Sequence, residues 1–277
     1  MPSLVKEIII PKTIEIVDEK QTETEHYAKF VCEPYEKGYG HTIGNSLRRV
    51  LLSSIDGAAV VAVRIAGVTH EYTTIEGVKE DVLEIVMNLK KLRLRMRDVE
   101  RQTLRLSAKG KKIVKAGDIE TTSHVEIINK NLEIATLEAG AKLEMEIEVA
   151  RGVGYMTSEK IAEYIHLPQD FILMDALFSP VKKVNYKVEN ARVGKETDYD
   201  KLILEVWTDG TITPKEAVDI AGALLKYSIK PFTETHGDVE NVQSEDTEDK
   251  EIEELLDQPL DVLELSPRAL NGLKKTE

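Results

Sequence analysis

Gly38, Gly40 and Gly44 stand just before a run with helical spacing, and they are the first residues whose pattern could do chemistry. Glycines there let backbone amides at a helix N-terminus close around an anion such as a phosphate. The spacing is GxGxxxG, which is not the dinucleotide fingerprint, and no lysine followed by serine or threonine completes a phosphate loop. A nucleotide-dependent enzyme built on this turn would also need a catalytic acid or base. Glu80 and Asp81 are adjacent, so on a helix they face different directions and cannot grip one substrate. The six histidines show no HExxH or paired spacing that would set two imidazoles on one ion, so no metal site is expected. His41 and His70 read as hydrogen-bonded structural residues. Cys32 is the only cysteine, which excludes an intrachain disulfide and a CxxC site and reads as core filler in a reducing compartment. From Lys90 to Lys115, eleven lysines and arginines stand against Asp98 and Glu100, enough to attract phosphates or an acidic protein surface. No aromatic residue interleaves for bases to stack on, so the ordinary reading is a solvated strand face, with a free-standing basic-patch DNA-binding protein as the alternative. No catalytic residue and no cofactor are expected, and binding becomes the leading class.

Several elements must position these residues. His26, Ala28, Phe30 and Cys32 alternate with Tyr27, Lys29, Val31 and Glu33, a strand period. After the glycines, Leu47, Val50, Leu51 and Ser54 recur at helical spacing with Arg48 and Arg49 outside the stripe, predicting a helix over 42–54. The valine-rich run Ala59 to Ile65 predicts a buried strand. Thr73 and Glu76 have capping-box spacing ahead of Val78, Val82, Ile85, Val86 and Leu89, predicting a second helix that ends near Lys90. Leu92, Leu94 and Met96, and later Leu143, Met145, Ile147 and Val149, alternate with charged residues as half-wet strands. Val184, Tyr186 and Val188 match Leu202, Leu204 and Val206 across a polar loop, and Asp209 with Gly210 makes a turn. Thr213 as N-cap, Pro214 at the first helical position and Glu216 at the third announce a last helix with the stripe Ala217, Ile220, Ala221, Leu224, Leu225 and Ser228. Helices interrupt strands without a steady alternation, so the class is α+β.

The apolar fraction of 42% in 277 residues is ample for two cores. The net charge of -13 is uneven: residues 236–258 hold ten acids against Lys250 alone. Such a segment cannot bury enough apolar surface to offset an ordering cost of about 1–2 kcal/mol per residue, so a disordered acidic linker is expected. Lys6, Glu7 and Pro11 hem in Ile8 to Ile10, so no signal-peptide core forms, and Asp56, Gly57 and Arg64 interrupt the most apolar stretch. A cytoplasmic protein without a membrane span is the expectation.

Glu33 to Ser54 reads EPYEKGYGHTIGNSLRRVLLSS and resembles the first helix region of the bacterial RNA polymerase alpha-subunit family. GVTHEYTTIEGVKEDVLEIVMNLK (Gly67 to Lys90), RGVGY (Arg151 to Tyr155) and SPVKKVNYKVENARVGKETDYDKLILEVWTDGTITPKEA (Ser179 to Ala217) follow in the family's order. The resemblance implies a non-catalytic subunit of DNA-directed RNA polymerase, enzymatic only within the complex, that homodimerises and scaffolds the beta and beta prime subunits, with omega and sigma in the holoenzyme. It implies a dimerisation part from residues 1–54 with 179–235 and a mostly β insert at 55–178. By the same resemblance, Arg48, Arg49, Leu52 and Lys90 dock beta, while Ser179, Pro180, Lys182 and Lys183 face beta prime. Leu47, Val50, Leu51, Leu224, Leu225 and Ser228 would make the dimer interface.

Residues 259–277 resemble the opening of the family's carboxy-terminal domain, which binds promoter DNA and activators. Arg268 and Asn271 fall on its minor-groove positions. The remainder of that domain is not in the sequence, so the expectation is promoter binding that is weak or absent.

Overall fold

The alternation seen from His26 onward is realised in a computed structural model that describes residues 9–22, 25–193 and 196–233. The acidic segment 236–258 and both proposed DNA contacts, Arg268 and Asn271, lie outside the described residues. In chain order, β1 (Glu15–Gln21) and β2 (His26–Glu36) precede α1 (Tyr39–Ser53). Then come β3 (Asp56–Ile65), α2 (Val82–Leu89), β4 (Leu94–Met96), β5 (Arg101–Lys109) and β6 (Lys112–Lys115). After a short 3-10 turn follow β7 (Ile119–Glu120), β8 (Val125–Ile127), β9 (Glu133–Leu137), β10 (Lys142–Val153) and β11 (Tyr155–Met156). The series closes with α3 (Ser158–Tyr164), β12 (Ile172–Leu173), β13 (Ala176–Leu177), β14 (Val181–Val193), β15 (Glu196–Thr208) and α4 (Pro214–Thr233). The fold is α+β, with mostly strands and four α-helices among the described residues.

Two large sheets organise the described residues, beside the two-stranded pairs β6-β9 and β11-β13. Both chain ends contribute to a four-stranded antiparallel sheet in the order β1-β2-β15-β14. Its hairpin register pairs Val184 with Val206, Tyr186 with Leu204 and Val188 with Leu202. Because side chains alternate across a strand, Ala28, Phe30, Val184, Leu204 and Val206 share one face, and α1 and α4 cover it through Leu51, Ala217, Val218 and Ala221. The middle of the chain forms the larger sheet, ordered β7-β5-β10-β3-β4-β8 with β12 also on β3. Its core joins Val63, Leu104, Leu106 and Ile147 to Val82, Ile85 and Leu89 of α2.

The side of β5, β10 and β3 turned away from that core carries a charge ladder. Glu146 bridges Arg64 and Arg105, and Glu148, only 2% exposed, takes Arg101 Nε at 2.9 Å and the Thr103 hydroxyl at 2.6 Å. Opposite charges side by side across strands hold register where the core does not reach.

Two expected boundaries are corrected. α1 starts at Tyr39, so Gly40 and Gly44 lie inside the helix and only Gly38, at φ 93°, is the turn. The Thr73 and Glu76 pair does not cap α2; Asp81 does, its Oδ1 accepting from Glu84 N at 2.6 Å. Gly77 turns the chain at φ 74°, and the Glu80 carboxylate accepts from Thr136 N and its hydroxyl, which holds this stretch out of the helix. No helix of the described residues is long and apolar enough to cross a membrane.

Candidate assembly surfaces

α1 lies close on the small sheet because two of its glycines, one turn apart, face that sheet. A Cβ at Gly44 would come 2.7 Å from Tyr186 Cδ2 and 2.8 Å from Leu202 Cδ1, and one at Gly40 would come 3.0 Å from Asp200 Cβ. The amides of Gly38 and Gly40 both donate to Asp200 Oδ2, at 2.8 and 3.1 Å. The helix N-terminus therefore does bind an anion, and that anion is the chain's own buried carboxylate. The spacing argues against a phosphate cradle, and the structure agrees, because its donors are already engaged.

The same helix sets out the first group of candidate docking residues. Arg48 and Arg49 are both exposed, and Arg48 also reaches back so that its Nε donates to Val184 O at 3.3 Å. Leu47, Val50 and Leu52 are half-buried against the core beneath them. Leu51 is 0% exposed within its own protomer, so it is withdrawn from the dimer face. An apolar stripe wider than one face is the reason, since sequence spacing alone does not say which flank turns inward.

α4 shows the two flanks plainly. Its capping box forms as expected, with Thr213 N donating to Glu216 Oε2 at 2.9 Å and Glu216 N donating to Thr213 Oγ1 at 3.2 Å. Ala217, Val218 and Ala221 are buried, while Ile220, Leu224 and Tyr227 form an outer apolar stripe, with Leu224 38% and Tyr227 76% exposed. Leu225 is half-buried, and the exposed Ser228 returns its hydroxyl to Leu224 O at 2.7 Å. Tyr227 was missed in the sequence reading, although its place three residues after Leu224 and seven after Ile220 was the available signal.

On the larger sheet, Lys90 caps the end of α2, and its Nζ stands 3.7 Å from Asp175 Oδ2. Asp175 also accepts from Ser158 N at 2.9 Å, the main reason its carboxyl sits below the usual range; the Tyr155 hydroxyl and Lys90 add to the effect. Tyr155 and Leu177 face each other in the β11–β13 register and are both exposed, an apolar patch that the sequence reading did not single out. Ser179 is half-buried with its hydroxyl on Val181 O at 3.4 Å. Pro180 is buried and its carbonyl accepts from Asp209 N, so it is withdrawn as a partner-facing residue. Lys182 and Lys183 are exposed, and Lys183 Nζ lies 4.5 Å from the centroid of the Trp207 ring.

Much of the basic run is used inside the fold. Arg93 and Arg95 donate to carbonyls of the turn before α4, Arg101 and Arg105 meet glutamates of β10, and Lys112 meets Asp118. His41 and His70 both lie at the surface, and His41 stands edge-on to Tyr186.

Comparison with known proteins decides among the readings left by this geometry. A family model described as the RNA polymerase Rpb3/RpoA insert domain matches residues 63–179. The DNA-directed RNA polymerase subunit alpha of Syntrophomonas wolfei is 47% identical over 259 residues, 92% of this chain and 81% of the relative. That of Nitratidesulfovibrio vulgaris is 50% identical over 90% of this chain and 72% of the relative, and that of Geobacter metallireducens is 46% identical over 97% and 79%. The chain belongs to the RNA polymerase alpha-subunit family. The described residues thus offer two candidate surfaces, the outer flank of α4 and the patch around Lys90.

Proposed function

We propose that this chain is the assembly scaffold of DNA-directed RNA polymerase: two copies join through α1 and α4, and the dimer docks the beta and beta prime subunits. As an alpha subunit it serves transcription within a nucleotidyltransferase complex. On this reading, residues 1–54 with 179–235 are the dimerisation part and 55–178 the insert. Arg48, Arg49, Leu52 and Lys90 meet beta, and Ser179, Lys182 and Lys183 line the side toward beta prime. The observation that carries the proposal is the outer stripe of Ile220, Leu224 and Tyr227, which has apolar surface that nothing among the described residues covers. A twofold pairing places the same stripe against itself and buries it twice over. The competing DNA-binding reading loses support because so many of the arginines and lysines it needs are engaged within the fold.

The test is solution mass by light scattering for the wild type and for Leu224→Glu with Tyr227→Glu, each also offered the beta subunit. Leu225 is left in place because it is half-buried in its own protomer. A wild type near twice 31.1 kDa that captures beta, with both properties lost in the variant, is expected. Arg49→Ala should stay dimeric and lose beta. A monomeric wild type that ignores beta would overturn the proposal.

A further inference from the structure

The chain crosses between its two large sheets at 54–57 and again at 178–181, and the crossings touch. A Cβ on Gly57 would lie 1.9 Å from Phe178 O and 3.3 Å from Pro180 Cδ. Gly57 is paired in register with Gly152, and the Phe178 ring lies over Gly152 with no room for a side chain between them. Two strands lying side by side form a hinge: they resist separation but leave rotation about their shared line unopposed. A contact off that line is needed to set the angle.

β4 supplies one. It lies beside β3, with Leu94 opposite Ala58, one strand spacing of about 4.8 Å from the crossing. Arg93 Nη1 donates to Asp209 O at 3.0 Å and Arg95 Nε donates to Thr211 O at 2.8 Å. Both ends of this contact are stiff. Asn129 accepts from Arg93 N and donates to Lys91 O, and Glu126 steadies the Arg95 guanidinium at 3.5 Å. Across the joint, Asp209 Oδ1 accepts from the Thr211 amide and hydroxyl, Asp209 N donates to Pro180 O, and Thr208 Oγ1 donates to Ile212 O. α4 starts at Pro214, directly beyond that turn.

We infer that Arg93 and Arg95 are a brace that fixes the angle between the two sheets, and that they act as positioning residues for the docking of a large partner across both. The inference rests on the scaffold reading, because a partner that touches Arg49 on α1 and Lys90 on the insert must find both at one spacing. Lys90 lies only three residues before Arg93, so the brace holds the very segment that carries it. Without the brace, the insert samples many angles and only a fraction of dimers is competent to dock. Apparent affinity falls by that fraction, so a tenth competent means roughly tenfold weaker capture.

The experiment uses the full chain with Cys32→Ser and nitroxide labels at Glu19→Cys and Lys109→Cys, both exposed and on different sheets, diluted with excess unlabelled chain. Double electron-electron resonance should give one narrow intramolecular distance. Arg93→Ala with Arg95→Ala should widen it about twofold, leave the dimer mass unchanged and weaken beta capture roughly tenfold. Lysine at both positions keeps a charged donor at each and should recover part of both losses. An unchanged width in the alanine variant would overturn the brace, and a widened distance with undiminished beta capture would overturn the positioning role. A wild type that ignores beta would strike the scaffold reading, while the width comparison, made without a partner, still decides the brace.

Discussion

Asp200→Ala strips α1 of the carboxylate that receives the Gly38 and Gly40 amides at 2.8 and 3.1 Å. The Gly40 amide is buried, so its loss costs close to the full value of a hydrogen bond to a charged group, about 2 kcal/mol. The Gly38 bond is only part-buried and its residue is exposed, so water replaces most of it and about 0.5 kcal/mol goes with it. Removing a negative charge from a helix N-terminus adds roughly 0.5–1 kcal/mol. The expected loss is therefore about 3 kcal/mol, which for a chain of this size lowers Tm by roughly 6–12 °C. Asp200→Asn keeps an acceptor oxygen and should lose about half as much. Scanning calorimetry at one fixed protein concentration measures this without the shift that dimerisation would add. A second arm tests the anion argument itself. Inorganic phosphate should raise the Tm of Asp200→Ala, whose helix amides are now open, and leave the wild type unmoved. An alanine variant that loses under about 1 kcal/mol, or a wild type that gains as much from phosphate as the variant does, would refute the reasoning.

Three further outcomes follow from the same structure. Gly44→Ala should cost about 1–3 kcal/mol in urea unfolding, because its Cβ would meet Tyr186 and Leu202 at 2.7 and 2.8 Å and α1 must lift to admit it. Arg101→Ala should cost about 3 kcal/mol by leaving the Glu148 carboxylate, 2% exposed, with Thr103 as its remaining support; adding Glu148→Gln should recover part of the loss. The Glu216 carboxyl is held below its ordinary 4.5, first by the Thr213 backbone amide and then by the Thr213 hydroxyl. A depressed folded pKa means the stabilisation is complete above pH 4.5 and is lost as pH falls through the folded value. Glu216→Gln should flatten the stability curve in that acid window, as followed by helical circular dichroism.

Local signals carried the parts of this fold that depend on neighbours in sequence. The β14–β15 pairing of Val184, Tyr186 and Val188 with Val206, Leu204 and Leu202 was legible because alternation and a polar loop specify a hairpin register. The Thr213 to Glu216 cap of α4 was legible because all its donors and acceptors lie within one turn. The cap expected at Thr73 failed for a distant reason, since Thr136 across a strand takes the Glu80 carboxylate and Gly77 turns the chain away. Asp200 lies 162 residues from Gly38, and nothing near either residue announces the other. Leu51 and Leu224 show the same limit in the candidate dimer surface, because both sit in helical stripes and only packing turned one inward and the other out.

That division bears on function. The groups that first suggested chemistry are consumed within the protomer: the helix amides by Asp200, and Arg93, Arg95, Arg101 and Arg105 by carbonyls and glutamates. Chemistry on a substrate calls for side chains that face one cleft with hydrogen-bonding capacity in reserve, which these engaged groups do not offer. What this chain leaves outward is of another kind, an apolar helix flank, an exposed tyrosine and leucine pair, and charges such as Arg49 and Lys90 set apart from one another on separate elements. Surfaces of that composition are worth little singly and gain value when one rigid body presents them together to a large partner. Under the brace inference, Arg93 and Arg95, from a run that the sequence reads as a solvated strand face, serve that end by fixing the angle between the sheets.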